Sequence, residues 1–242
     1  MSTSPTNPAS KAIVYLIPVG LSDEAEFVLT GDVLQIVRDL DEFVVENEKT
    51  ARACLKKFGT RIPQNQLTFH LLNEHSKPEE ISILKSILLK NKPIGLMSEA
   101  GCPGIADPGA EFVKLAHELN IEVVPFTGPS SIFLALMGSG MNGQSFTFHG
   151  YLPRESADRK SKVKELEREA LKKNHSQIFI ETPYRNDALL KDILECCQEN
   201  TRVCIASDMT SSKQFLKTKS VGEWKKMNFK ISKVPTVFII GK

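Results

Sequence analysis

Residues 94–150, IGLMSEAGCPGIADPGAEFVKLAHELNIEVVPFTGPSSIFLALMGSGMNGQSFTFHG, alternate apolar runs with turn-rich loops in the manner of a parallel sheet. The run Ile94–Met97 stops at a loop carrying glycines at 101, 104 and 109 and prolines at 103 and 108. An apolar strand of this length, a turn-rich loop and then a helical pattern make a βα unit. The helix is expected from Asp107 as N-cap and Pro108 as first helical residue, with Phe112, Val113, Leu115, Ala116 and Leu119 at helical spacing. A second unit follows directly: strand Ile121–Pro125, loop Phe126-Thr127-Gly128-Pro129, and a helix opening at Ser130 or Ser131 and running to about Ser139. Two successive strand ends that each discharge a Gly/Pro loop build a crevice at the carboxyl edge of the sheet, where open α/β sheets bind ligands. The spacing matches neither the G-x-G-x-x-G dinucleotide fingerprint nor a P-loop, because no Gly-Lys-Ser/Thr follows. The residues thus indicate a ligand site without naming the ligand, and Gly and Pro punctuate ordinary loops as well.

The motifs SEAGCPGIADPG, VPFTGPSS and FHGYLPR, in that order, resemble those of the tetrapyrrole-methylase superfamily, the class III S-adenosylmethionine-dependent methyltransferases. The likeness is greatest to the branch that methylates a ribose 2′-hydroxyl of small-subunit ribosomal RNA, whose loops run close to S-D-A-G-T-P-G-I-S-D-P-G, P-G-P-S and G-F-L-P. It implies two α/β domains with the S-adenosylmethionine pocket in the cleft between them, a homodimer and an RNA substrate. Pro18 and Gly20, the turn from Glu99 to Cys102, and Ser130 and Ser131 would line that pocket, with Thr182 and Met209 closing it from the second domain. Glu99 stands where the family has Asp. Ser130 and Ser131 also suit a helix N-terminus, and the two roles can coexist.

Elsewhere the likeness has gaps. After the first strand, Ala12–Ile17, the loop Pro18-Val19-Gly20-Leu21-Ser22-Asp23 follows the family's T-P-I-G-N-L-x-D without its Asn. Glu46-Asn47-Glu48-Lys49 replaces E-D-T-R, which removes one charge and the bidentate Arg fork suited to phosphate. Glu181-Thr182-Pro183-Tyr184-Arg185 follows E-S-P-H-R closely. Ser207-Asp208-Met209-Thr210-Ser211 follows R-E-L-T-K with Ser in place of both cations.

Composition sets the remaining bounds. The 242 residues are 41% hydrophobic and 25% charged, a globular balance, with a formal net charge of +2. That charge is uneven: residues 209–242 hold eight lysines against the single acid Glu223, a net +7, so the rest carries −5. A basic segment beside an acidic body suits an RNA partner, and equally a solvated lysine surface. Five cysteines without C-x-x-C spacing, and no secretory pattern, indicate reduced thiols in a cytoplasmic protein, with no metal site. No apolar run approaches the ~20 residues of a membrane span.

The expected domains are 12–140 and 145–242, joined at the glycine-dense stretch Gly138–Gly143, after a polar disordered lead-in over 1–11. A strand over Leu67–Leu72 places His70 near Asn73-Glu74-His75, two histidines spaced poorly for a metal. Pro78–Lys90 reads as an amphipathic helix with Ile81, Leu84, Ile87 and Leu88 on one face. In the second half Asp158 is expected to cap a highly charged helix reaching about Lys173, whose face would be solvated and laced with i,i+4 pairs. Strands are expected at Phe146–Gly150, Gln177–Ile180, Val203–Ala206, Phe215–Ser220 and Val234–Ile240.

Methyl transfer from a sulfonium needs in-line orientation and no covalent nucleophile, and neither G-x-S-x-G nor a Cys–His pairing presents itself. A hydroxyl acceptor needs help losing its proton. Glu99, Asp107 and Asp208 are the acids in the candidate loops, although each also suits a cap or loop brace, Asp107 above all. Arg154 and Arg185 are the candidates for holding substrate, and Arg185, at a helix start, suits either an anion or an ion pair with an acid. Two other readings stay open: a methyltransferase for a tetrapyrrole or other small molecule, and a homologue that binds cofactor or RNA without catalysis.

Overall fold

The computed structural model describes residues 12–24, 29–73, 78–231 and 233–242. The expected lead-in over 1–11, with Glu74 and His75, lies outside them, as does the side chain of Ile81. The described chain forms two compact units, one of residues 12–20 and 29–129, the other of 21–24 and 130–242. Their border at Pro129/Ser130 precedes the helix 131–139, so the glycine-dense stretch at 138–143 falls inside the second unit. The reason is packing: Ile132, Ala135 and Leu136 of that helix belong to a core shared with the second sheet.

The first unit is a five-stranded parallel sheet. Its strands are β1 (Ile13–Ile17), β2 (Glu42–Val45), β3 (Thr68–Leu71), β4 (Ile94–Met97) and β5 (Glu122–Pro125), in the order β3-β2-β4-β1-β5. Side chains alternate between its faces, as the strand period requires. Ile17, Phe43, Val45 and Met97 pack against α1 (Gly31–Asp39) and α2 (Glu48–Phe58). Val14, Val44, Ile94 and Leu96 pack against α3 (Pro78–Leu88) and α4 (Gly109–Glu118). Burial on both faces explains the apolar runs Phe43–Val45 in β2 and Ile94–Met97 in β4.

The second unit is a mixed five-stranded sheet in which strands 146–151, 176–181, 236–241, 202–207 and 215–220 lie side by side in that order. Its elements are α5 (Ser131–Ser139), β6 (Phe146–Tyr151), α6 (Ser156–Lys173), β7 (Ser176–Glu181), α7 (Asn186–Cys196), β8 (Arg202–Ser207), β9 (Phe215–Ser220), α8 (Val221–Met227) and β10 (Thr236–Gly241). Only β6 and β7 pair in parallel. Phe179, Val203, Ile205, Phe238 and Ile240 face α6, α7 and α8, while Ile178, Cys204, Ala206, Val237 and Ile239 face α5.

Two expected caps are corrected. The highly charged helix α6 begins at Ser156 behind Glu155, which leaves Asp158 within the first turn, where an acid still favours the positive helix end. α4 begins at Gly109, one residue later than Pro108 as first helical residue implies, with Asp107 bonded to its first amide.

Candidate functional site

Topology selects the location within the first unit. The connection leaving β1 runs through α1 on one face of the sheet, towards β2; the connection leaving β4 runs through α4 on the opposite face, towards β5. β1 and β4 are neighbours, so two adjacent strands send their chains away in opposite directions and a crevice opens at their carboxyl ends. The candidate residues Pro18, Gly20, Glu99 and Cys102 all follow those two strand ends.

The loops there are fastened to one another. Val19 N–H donates to the Gly101 carbonyl at 2.9 Å, an isolated bridge that ties the β1 loop to the β4 loop. Gly101 has φ +74°, a left-handed conformation natural to glycine. The β5 loop closes from the other side. An added Cβ on Gly128 would lie 2.0 Å from Cβ of Pro18, so only glycine lets these backbones meet. The Cys102 thiol donates to the Pro129 carbonyl at 3.3 Å, and burial pushes its pKa up, which keeps it neutral and unsuited to nucleophilic attack.

Glu99 is exposed at the tip of this edge. Its amide donates to Oε1 of Glu46 at 3.1 Å and its Oε1 accepts from Thr50 Oγ1 at 3.3 Å, so the end of β2 and the first turn of α2 position it. The altered segment Glu46–Lys49 thus has definite local work: Asn47 caps α2 by accepting from the amides of Lys49 and Thr50. Asp107 accepts from Gly104 N on both oxygens and from Gly109 N, all within 2.9 Å. A carboxylate engaged by that many amides is a loop brace, which leaves Glu99 and Asp208 as the acids open to chemistry.

In the second unit another set gathers at one sheet edge. Thr236 opens β10 and pairs with both Glu181, the last residue of β7, and Ser207, the last of β8. Thr182 and Asp208 therefore leave that edge one strand apart. The half-buried Asp208 has φ +51° and the exposed Thr210 φ +71°. Left-handed backbone at a β-branched residue is strained, a feature that recurs at functional sites. Their loop is braced by Thr210 N–H donating to Gln214 Oε1, and by Glu24 accepting from Ser212 N and Oγ. Those bonds hold the Glu24 carboxyl below its usual pKa. Met209 is buried in the core beneath α5, so its side chain serves packing. Ser130 is the N-cap of α5 and makes no capping bond with its side chain; Ser131 begins the helix.

The two substrate candidates differ. Arg154 is exposed. Arg185 places Nε and Nη2 within 3.0 Å of Glu181 Oε1, whose side chain is wholly buried. Of the two readings of Arg185, the acid partner is the one observed. Sequence reasoning missed the exposed ring of Tyr184 on the same turn, and also Glu46 and Thr50 behind Glu99. The acid-then-Asn pattern opening a helix signalled the latter pair.

The donor set suits a cationic sulfonium nucleoside. The strand-end loops of the first unit carry Glu46, Glu99 and Asp107 and expose backbone and the apolar Ile105. Acids favour a positive sulfur, and glycine-tight loops let main chain approach a ligand closely.

Comparisons agree with that chemistry. The family model for tetrapyrrole (corrin/porphyrin) methylases matches residues 14–224. A curated protein of Vibrio cholerae, ribosomal RNA small subunit methyltransferase I, is 30% identical over 88% of this chain and 70% of its own length. A Leptospira borgpetersenii protein of the same name is 32% identical over 95% and 87%. Among solved structures, the methyltransferase CobJ aligns with TM-score 0.62 at 14% identity, covering 96% of this chain and 94% of its own. Uroporphyrin III C-methyl transferase from Thermus thermophilus aligns with TM-score 0.59 at 14% identity over 95% and 97%. With the model spanning most of the sequence, the chain belongs to the tetrapyrrole methylase family and is an S-adenosylmethionine-dependent methyltransferase.

Proposed function

We propose that the protein methylates ribosomal RNA of the small subunit, at a ribose 2′-hydroxyl. The observation that carries this reading is the lysine surface of the second unit. Of the eight lysines in 209–242, Lys213, Lys217, Lys226, Lys230, Lys233 and Lys242 stand exposed, while Lys219 and Lys225 pair with Glu223 and Glu199. A broad exposed basic surface suits a polyanion, whose phosphates supply affinity without base readout. The relatives named above act, by their names, on the small ribosomal subunit's RNA. A carboxylate-rich tetrapyrrole is less well served, because the strand-end loops of the first unit are acidic.

Pro18, Gly20, Glu99 and Cys102 are the cofactor contacts proposed from the first unit, and Ser130, Ser131, Thr182 and the Met209 backbone from the second. Bound S-adenosylmethionine supplies an electrophilic methyl group on a positive sulfur. The loops hold it and exclude water, and Glu99 or Asp208 accepts the hydroxyl proton as general base. Arg154 is retained as a phosphate contact; Arg185 is reassigned to bracing Glu181. The homodimer is carried over from the resemblance, and the exposed Phe133 and Met137 of α5 offer apolar surface for it.

The test is transfer of labelled methyl from S-adenosylmethionine to small ribosomal subunits taken from cells lacking this protein. Label mapped to a ribose in the RNA is expected. Label on a base, or none while calorimetry records cofactor binding, refutes the ribose assignment or the RNA assignment respectively.

A further inference from the structure

We infer that Tyr184 is a stacking platform for an unpaired base of the RNA substrate, an inference that rests on the proposed RNA reading. Tyr184 is 82% exposed, the most exposed of the large apolar and aromatic side chains among the described residues. A tyrosine ring left in water covers no core, yet this one stands on a rigid support. Pro183 fixes the turn, Arg185 N–H donates to the Thr182 carbonyl at 2.9 Å, and the Arg185 guanidinium is locked onto the buried Glu181 carboxylate.

The segment entering β10 is fastened beside that turn. Asn186, fully buried, donates to the Val234 carbonyl at 2.9 Å and to Thr236 Oγ1 at 3.1 Å. Asp187 accepts from Ile231 N at 2.8 Å. These anchors hold the Lys233 ammonium over one face of the Tyr184 ring, 5.4 Å from its centre, which leaves the opposite face for a base, and the exposed Lys230 lies on the same segment. An aromatic face with adjacent point cations is what single-stranded nucleic acid binds: the base stacks on the ring and the phosphates meet the ammonium groups. Arg185 is unavailable for that task, being paired with Glu181, so the lysines supply the charge. Asp187 is the local acid, and its carboxylate is engaged by the Ile231 amide. Thr182, two residues before Tyr184, is a proposed cofactor contact, so a base held on this ring lies along the chain from the methyl donor.

The experiment compares wild type, Tyr184→Phe and Tyr184→Ala. The readouts are methyl transfer to small-subunit RNA with KM and kcat separated, binding of a fluorescein-labelled single-stranded RNA oligonucleotide, and S-adenosylmethionine affinity by calorimetry. Base stacking on an aromatic predicts that Tyr184→Ala raises KM for RNA and weakens oligonucleotide binding by about five- to a hundredfold. Tyr184→Phe is expected to stay within about twofold of wild type, and cofactor affinity to stay unchanged in all three. Tyr184→Ala that binds and turns over RNA like wild type overturns the stacking role while leaving the RNA reading intact. A wild type that transfers nothing to ribosomal RNA overturns the reading and the inference together. Loss in Tyr184→Phe as large as in Tyr184→Ala also overturns it, because the hydroxyl and not the ring would then be responsible.

Discussion

Replacing Gly128 by alanine is expected to damage cofactor binding through packing alone. The added Cβ would sit 2.0 Å from Cβ and 2.3 Å from Cγ of Pro18. Carbon atoms rest at about 3.5–4.0 Å, so the β1 and β5 loops must separate by roughly 1.5 Å or more. The obstacle is a proline ring on its own backbone, which no side-chain rotation can clear. Overpacking of this kind costs about 1–3 kcal/mol, which for a chain of this size lowers Tm by about 2–12 °C. The functional effect is larger, because the displaced loop carries Gly20 two residues after Pro18 and is tied at Val19 to Gly101. A misplacement near 1 Å is worth about a hundredfold in a positioned reaction.

The assays are thermal unfolding, calorimetry with S-adenosylmethionine, and methyl transfer. Tyr15 and Phe126, stacked at 5.3 Å between β1 and the start of the β5 loop, should keep the strands themselves in register. The expected outcome is therefore a folded protein with weakened binding. A Gly128→Ala/Pro18→Gly double variant removes both clashing atoms, and its unfolding temperature should recover relative to the sum of the two single changes. Gly128→Ala with wild-type stability and affinity would refute the close approach of these loops as their organising contact.

Two further outcomes are expected. Glu42 is desolvated, which raises its pKa, but hydrogen bonds from His70 and Lys90 more than offset this and the net shift is downward. Its contribution is thus fully present above the unfolded carboxyl value of about 4.3 and fades as pH falls through the lower folded value. Thermal unfolding of wild type and Glu42→Gln should differ at pH 7 and converge only in acid, as pH falls through the lowered folded value of Glu42; a difference that persists in strong acid would show that the carboxylate's charge is irrelevant. Thr210→Gly relieves left-handed backbone worth about 1–2 kcal/mol and is expected to raise Tm, whereas a fall would mean that the threonine's own contacts outweigh the strain.

The first unit was legible because its signals are local and agree with one another. β4 announces itself as an apolar run ended by a turn, and the Gly/Pro loop at 98–109 fixes where it stops. Its crevice was legible for the same reason: candidate residues at the ends of β1 and β4 meet once the strands are adjacent. The second unit hid more. The charged helix α6 reads as a solvated face, and Lys162–Glu165 and Lys173–Glu169 are indeed surface pairs. Yet Arg159 is buried against Asp192 of α7, and Glu167 is buried against Thr201. Both partners lie more than thirty residues away in sequence, so no helical periodicity reveals them.

The same distinction governs the functional residues. Glu181, Thr182 and Arg185 match a recognisable pattern, but the pattern does not say which side chain is spent on structure. Arg185 is the cation that motif reading would assign to phosphate, and Glu181, with its side chain entirely buried, claims it. A buried carboxylate requires a partner, so the guanidinium cannot leave without exposing an uncompensated charge to a low-dielectric interior. Lysines that are exposed and 20–50 residues away in sequence then become the groups free to meet an anion. Cation identity on this surface follows from what the core has already consumed, and that is decided by tertiary packing rather than by motif.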